Sequence, residues 1–333
     1  MNRFTPREYA IVRGCGRDFF PAAVRRESEI GMKFVKMQGC GNDYIYLHET
    51  AGLPKDKSAL VKKMCDRHFG IGADGVIFIH IGDGVTADFE MEIYNADGSY
   101  AEMCGNGILC VGRYVYEQGL TDKREMNIAS GSVVRRVWLY PDSNSTVRVN
   151  MGKPELACER IPVLFSKKRM LCEPVRIGEK EYNMTCVNMG NPHAVILTDR
   201  EKILHARVEG EPLITKRQLL EYLPYQLSEE GAAIERAAMF PERTNVEFVC
   251  PIDQHNIIMR VWERGSGETC ACGTGSCAAV MACIINGLTK NTVTVTLLGG
   301  TLYVEWDADS EEIYLTGPAD TVYAGEAELS HFL

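Results

Sequence analysis

The chain repeats itself around two cysteines, and that repetition limits its folds more than any other feature. Cys104 lies in MCGNGILC and Cys272 in ACGTGSCA, each opening Cys-Gly-x-Gly and running into a small-residue, apolar stretch of helical character. Nine residues before each cysteine a polar residue ends a β-like run, Asn95 after FEMEIY and Glu263 after IIMRVW. Further matches flank these: Met37 through Asp43 resembles Met189 through His193, and Met91 through Asn95 aligns with Met259 through Glu263. Internal similarity of this kind is a property of the fold rather than of a single motif. It predicts an α/β (α+β) chain of two similar domains, each of mixed β-strands wrapped around a central helix. The active site would lie in the interdomain cleft, between the two cysteine-bearing turns.

The expected boundaries are 32–150 for the first domain and 151–320 for the second, with 321–333 crossing back to the first. Residues 1–31 stand outside the repeat and are expected to be a disordered extension. They carry six Arg against four acids and lack the roughly 7–15-residue apolar core of a secretory signal. Strand signals are frequent: FVKMQG, YIYLHE, GVIFIH, SVVRRVWLY, VEFVCPID and TVTVTLLGG are β-branched or aromatic runs bounded by turn formers. SALVKKMCDRHFG reads as an amphipathic helix closed by Gly70, and residues 105–118 and 274–286 as helices closed by Gly119 and Gly287. Residues 201–227 read as an irregular helical region.

Bulk properties narrow the function classes. With 333 residues and a net charge of −9, the chain has no basic patch to recommend nucleic acid or an anionic membrane as a partner. No run of about 18 apolar residues is present to span a bilayer. Thirteen cysteines, an odd number without an export signal, point to reduced thiols and a cytoplasmic setting. Cys270, Cys272, Cys277 and Cys283 do not have the paired spacing of structural zinc sites, so no metal is expected.

The chemistry follows from the helix starts. Unpaired N–H groups and the macrodipole there favour negative charge, so each thiol is expected to ionise more easily than the free-cysteine reference of about 8.5. Beside each thiol, glycine lets backbone donors approach a carboxylate or oxyanion. Two such turns converging on one carbon place a base on each of its faces, an arrangement suited to removing a proton from one side of a stereocentre and returning it from the other. A buried cysteine in a tight turn is the plain alternative for one such motif, and the matched pair weighs against it. A thiol-redox protein is the rival from another class, but the Cys-x-x-Cys of such proteins is missing at these turns. GIGADG lacks the Lys-Ser/Thr of a phosphate loop.

The blocks FVKMQGCGNDYIYLHE, GIGADG, YNADGSYAEMCGNGILC, VNMGNPHAV, PERTNVEF, ERGSGETCACGTGSCA and LTGPADTVYAGE, in this order over residues 32 to 328, resemble the diaminopimelate epimerase family. The resemblance implies an isomerase, free of pyridoxal phosphate or any other cofactor, that interconverts LL- and meso-diaminopimelate on the route to lysine and peptidoglycan; a related racemase for another amino acid is the alternative. It implies Cys104 and Cys272 as the acid/base pair. Gly105, Asn106, Gly273 and Thr274 would hold the carboxylate of the reacting centre, and Asn42, Asn95, Asn191, Asn245 and Arg264 would recognise the substrate, Arg264 at its distal carboxylate. Glu263 and His193 would support the reacting end, and a homodimer follows by analogy. Two departures bear on the site: Gly75 stands where the family often has a substrate-contacting Gln, and Cys40 replaces an aliphatic residue beside Gly-Asn-Asp.

Overall fold

The computed structural model describes residues 31–48, 52–101, 103–141, 146–199, 203 and 227–333. The extension expected at 1–31 and the helical region expected at 201–227 therefore lie, but for Gly31, Ile203 and Leu227, outside the described residues. The apolar runs form strands whose burial alternates, as in Thr146–Gly152, because successive side chains of a strand point to opposite faces.

The first half contains β1 (Gly31–Gly39), β2 (Asn42–Leu47), α1 (Ser58–Cys65), β3 (Gly75–Ile81), β4 (Phe89–Asn95), β5 (Tyr100–Ala101), α2 (Gly105–Glu117), β6 (Glu125–Ser130), β7 (Val133–Tyr140) and β8 (Thr146–Gly152). After β9 (Glu173–Ile177), the second half contains β10 (Lys180–Asn188), β11 (Pro192–Leu197), α3 (Leu227–Glu235), β12 (Asn245–Pro251), β13 (Asn256–Glu263), β14 (Gly267–Thr269), α4 (Gly273–Ile285), β15 (Thr292–Leu297), β16 (Gly300–Asp307) and β17 (Glu312–Pro318). The chain ends with β18 (Asp320–Glu328).

Pairings repeat strand for strand. β1 and β2 form an antiparallel hairpin, β2 runs parallel to β3, β3 antiparallel to β4, and β4 parallel to β6. β10 and β11, β11 and β12, β12 and β13, and β13 and β15 pair in the same senses. The halves join through β8 against β17, while β18 closes on β1 and β9 on β10.

Each half wraps one helix. Helix α2 buries Ile108, Leu109, Cys110, Val111, Tyr114 and Val115, and α4 is buried on nearly every side from Gly273 to Cys283. A helix apolar all round belongs inside a core, and each buried Leu, Ile or Met there contributes about 1.5–3 kcal/mol. One apolar cluster contains residues of both helices, so the two helix starts are held by a shared interior.

Helix α1 ends sooner than its pattern suggests, at Cys65 instead of Gly70. The Asp66 carboxylate accepts the N–H groups of His68 and Phe69 at 2.7 and 2.8 Å. That local bonding competes with continuation of the helix.

Candidate active site

Cys104 and Cys272 are the N-cap residues of α2 and α4, both extended, with φ −137°, ψ 111° and φ −132°, ψ 118°. Each sulfur accepts the N–H three residues on, from Gly107 at 3.2 Å and from Gly275 at 3.4 Å. The two helix starts abut. A Cβ added to Gly105 would lie 3.1 Å from Gly273 Cα, and one added to Gly273 would lie 3.1 Å from Gly105 Cα. Only glycine permits this approach, which turns the unpaired N–H groups of two first turns, with their dipole ends, toward one small volume.

Polar side chains from the neighbouring strand ends surround that volume. Asn42, at the start of β2, accepts from the Cys104 thiol at 3.5 Å and donates to Asp74 at 3.3 Å. Asn106 reaches across to the Ala271 carbonyl at 3.4 Å, and its own Oδ1 is buried with no protein partner among the described residues. Asn95 donates to Ser99 Oγ at 3.0 Å. In the second half Asn191 Oδ1 lies 2.8 Å from His193 Nε2. Asn245 accepts the Arg264 N–H at 2.9 Å and donates to the Pro192 carbonyl at 3.0 Å. Glu263 accepts the Thr269 hydroxyl, and the Thr274 hydroxyl is 3.4 Å from the Cys272 sulfur. Arg264 is exposed and donates to the Glu242 carbonyl at 3.1 Å.

The electrostatics overturn one expectation. The thiols do not ionise more easily than a free cysteine. Burial pushes Cys104 up to about 11, assisted by the Glu263 carboxylate and opposed by the Gly107 N–H and Tyr44. Burial pushes Cys272 well above the ordinary range too, with Glu263 and then Glu247 adding to it. Loss of water outweighs the few donors that a helix start provides. Burial also raises Glu263, although hydrogen bonds from Thr269 and Cys272 oppose it. Both thiols therefore hold their protons at neutral pH.

Residues that sequence reasoning passed over complete the surroundings. Glu247 Oε1 lies 2.7 Å from His193 Nδ1, and both side chains are fully enclosed. A carboxylate in the middle of the apolar run VEFVC was the available signal, because a charge is buried only with a partner. Tyr44 lies two positions beyond Asn42 on β2, on the same face of the strand. Cys40 does not join the two helix-start thiols: it turns its sulfur to the Thr301 carbonyl at 3.7 Å and packs beside Gly300. Gly75 pairs with Asn95 across β3 and β4 and with Tyr44 across β2 and β3.

Comparison with known proteins agrees with this architecture. The sequence profile of the family described as "Diaminopimelate epimerase" matches residues 34–157 and 185–322. A diaminopimelate epimerase of Agathobacter rectalis is 45% identical over 307 residues, covering 90% of this chain and 100% of that one. One of Acetivibrio thermocellus is 42% identical, covering 90% and 99%. Among solved structures, a probable proline racemase of Agrobacterium radiobacter superposes with a TM-score of 0.64 at 14% identity, covering 90% of this chain and 93% of that one. A hydroxyproline epimerase of Agrobacterium vitis gives 0.63 at 13%, with the same coverage. At such identity these two structures speak for the fold alone.

Proposed function

This chain belongs to the diaminopimelate epimerase family, and from that premise we propose that it inverts Cα of its substrate with Cys104 and Cys272 as opposed acid and base. The chain is an isomerase, acting on diaminopimelate in lysine biosynthesis. The observation that carries the mechanistic reading is the contact of the two helix starts at Gly105 and Gly273, with one thiol at the cap of each.

In this reading the α-carboxylate of the reacting centre is held by the first-turn N–H groups of both helices, which favour an anion at that point. The substrate Cα then sits between the sulfurs. One sulfur, its proton lost to water before the substrate fills the site, is the base for one epimer; the other, still a thiol, donates from the opposite face. For the opposite epimer the roles exchange. General acid–base transfer supplies about 10²–10⁴-fold, so the larger share of the acceleration falls to the dipoles around the developing carbanion and to exclusion of water. The buried acceptor Asn106 Oδ1 suits the substrate ammonium. Arg264 makes one bond to a backbone carbonyl, and its planar donors suit the distal carboxylate. No cofactor enters this scheme.

A homodimer and a cytoplasmic setting belong to the same proposal; among the described residues no helix is long and apolar enough to cross a membrane. Incubating the enzyme with LL-diaminopimelate in D₂O, with and without pyridoxal phosphate, tests the whole reading by NMR. Deuterium should enter at Cα equally in both, together with the meso form. Epimerisation without solvent deuterium, or only with the added cofactor, would refute it.

A further inference from the structure

Glu235, the last residue of α3, is only 1% exposed. A carboxylate that deep needs partners, and those it has are specific. One oxygen accepts the Trp262 indole N–H at 2.8 Å. The other accepts the Gly265 backbone N–H at 3.1 Å, with the Arg243 guanidinium 3.6 Å away. Trp262 and Gly265 stand immediately before and after Glu263 and Arg264 in the chain. A single carboxylate thus bridges the two ends of the turn that carries Arg264.

The geometry of that turn explains the bridge. The Ser266 N–H donates to the Glu263 carbonyl at 3.1 Å, and Gly265 takes φ +80°. A β-turn with positive φ at its third residue uses glycine there, and its central peptide N–H has no partner inside the turn. That N–H belongs to Gly265, and Glu235 accepts it. The Arg264 N–H is taken by Asn245 Oδ1 at 2.9 Å. Side chains from α3 and β12 therefore hold both central N–H groups and fix the plane of the Arg264–Gly265 peptide. Glu263 is placed separately, by the pairing of β13 with β14. Helix α3 is seated for this contact. Gly231 lies one turn before Glu235 on the same face, and a Cβ there would fall 2.6 Å from Trp262 Cγ. Glycine weakens a helix interior relative to alanine, so its place in α3 is accounted for by the indole lying against the backbone.

We propose that Glu235 is the positioning residue of Arg264, stapling the turn between β13 and β14 so that the guanidinium is presented in one direction. This rests on the reading of Arg264 as the group that receives the distal carboxylate of the substrate, and adds what holds it. The Arg264 side chain is exposed and leans on the Glu242 carbonyl, so its aim depends on the backbone beneath it. A planar fork loses its match to a carboxylate when its base tilts. The distal carboxylate does not change during the reaction. A misplaced Arg264 therefore weakens ground state and transition state alike, so that KM rises while kcat is kept.

The test is Glu235→Gln in the full-length protein, since a glutamine of the same size offers a single acceptor oxygen to two N–H donors. Amide hydrogen exchange, read by peptide mass spectrometry without substrate, should speed up about tenfold over residues 262–267 and stay unchanged in β7 and β8. KM for diaminopimelate should rise about tenfold, with kcat within about threefold of wild type. Gly231→Ala drives a methyl into Trp262 while favouring the helix, and it should reproduce both effects with Glu235 intact. Exchange over 262–267 equal to wild type in both variants, or a fall in kcat at unchanged KM, would overturn the proposal. Because the exchange measurement uses no substrate, its failure is distinct from a failure of the wild type to exchange the Cα–H of diaminopimelate.

Discussion

Raising the pH from 8 to 10 should destabilise this protein far more than its net charge suggests, because several of its thiols are buried. Burial is the first cause of the upward shift in each of four cysteines away from the helix-start pair: Cys40 is pushed up to about 11, and Cys65, Cys110 and Cys283 to about 12. In the unfolded chain the same thiols titrate at their ordinary value, about 8.5–9. The unfolded state is thus the one that gains by ionising. Stability is intact below pH 9 and is lost as pH rises towards the folded values. At pH 10 each thiol costs about 1 kcal/mol, and together they cost on the order of 4–5 kcal/mol. That is a large part of the roughly 5–15 kcal/mol that holds a typical domain folded. Urea unfolding followed by far-UV circular dichroism under reductant, at pH 8, 9 and 10, measures it. With a urea dependence of about 3 kcal/mol per molar, the midpoint should fall by roughly 1.5 M from these four alone, and further with the other buried thiols. Tyr94 and Tyr182, both pushed up to about 12 from an ordinary 10, add to the loss only above pH 10. The double variant Cys65→Ala, Cys283→Ala should recover about a quarter of the pH-dependent fall, whatever its stability at pH 8, because Cys104, Cys158, Cys186, Cys272 and Cys277 are pushed up by burial as well. An unchanged midpoint at pH 10, or a fall undiminished in the double variant, would refute the assignment to buried thiols.

Three further outcomes follow from the site. Cys104→Ala and Cys272→Ala should each lower the epimerisation rate by about 10²-fold or more; a single variant within about tenfold of wild type would exclude a two-base mechanism. Gly273→Ala puts a methyl 3.1 Å from Gly105 Cα and 3.0 Å from Leu315 Cδ2. Prising the helix starts apart should cost about 10²-fold in kcat, and normal kinetics would show that their contact is incidental. Glu247→Gln removes a carboxylate that pushes the Cys272 thiol up and leaves His193 a neutral partner. The Cys272 alkylation profile should move to lower pH, with a stability loss of about 1–3 kcal/mol, and an unmoved profile would mean that the charge is not felt.

Much of the architecture could be read from residue order because the signals were local. The alternating apolar runs and the glycines after Gln118 and Asn286 mark the strands and the ends of the two central helices. The duplicated Cys-Gly-x-Gly turns mark where two helix starts meet. Legibility failed where the answer depends on what packs from elsewhere in the chain. The direction in which Cys104 and Cys272 shift is set by burial, which no local pattern contains. The crowding at Gly75, where a Cβ would fall 2.9 Å from Tyr44 Cδ1, is invisible without Tyr44 beside it, and the two are 31 positions apart. Helix α1 stops short for a reason that was present in the chain, the carboxylate of Asp66, but an amphipathic pattern that continues past it conceals the stop.

The duplication supplies two similar thiol-capped helix starts, yet the proposed two-thiol mechanism needs them to be unlike. One face of Cα must lose a proton while the other gains one, so at any moment one sulfur is charged and the other is not. Beneath the two first turns the repeat is broken at equivalent positions. A Cβ on Gly107 would meet Ile77 at 2.8 Å, whereas one on Gly275 would meet the Glu247 carboxylate at 2.6 Å. Tyr44 stands where the second half has His193. Cys272 therefore faces two carboxylates, Glu263 and Glu247, while Cys104 faces one of them together with a hydroxyl donor. Anions disfavour a thiolate and a donor favours it, so the two-thiol proposal expects the first negative charge on Cys104 and the proton on Cys272. In that mechanism the backbone repeat makes the reaction reversible about one carbon, and its divergence at Tyr44, Ile77, His193 and Glu247 decides which sulfur begins as the base.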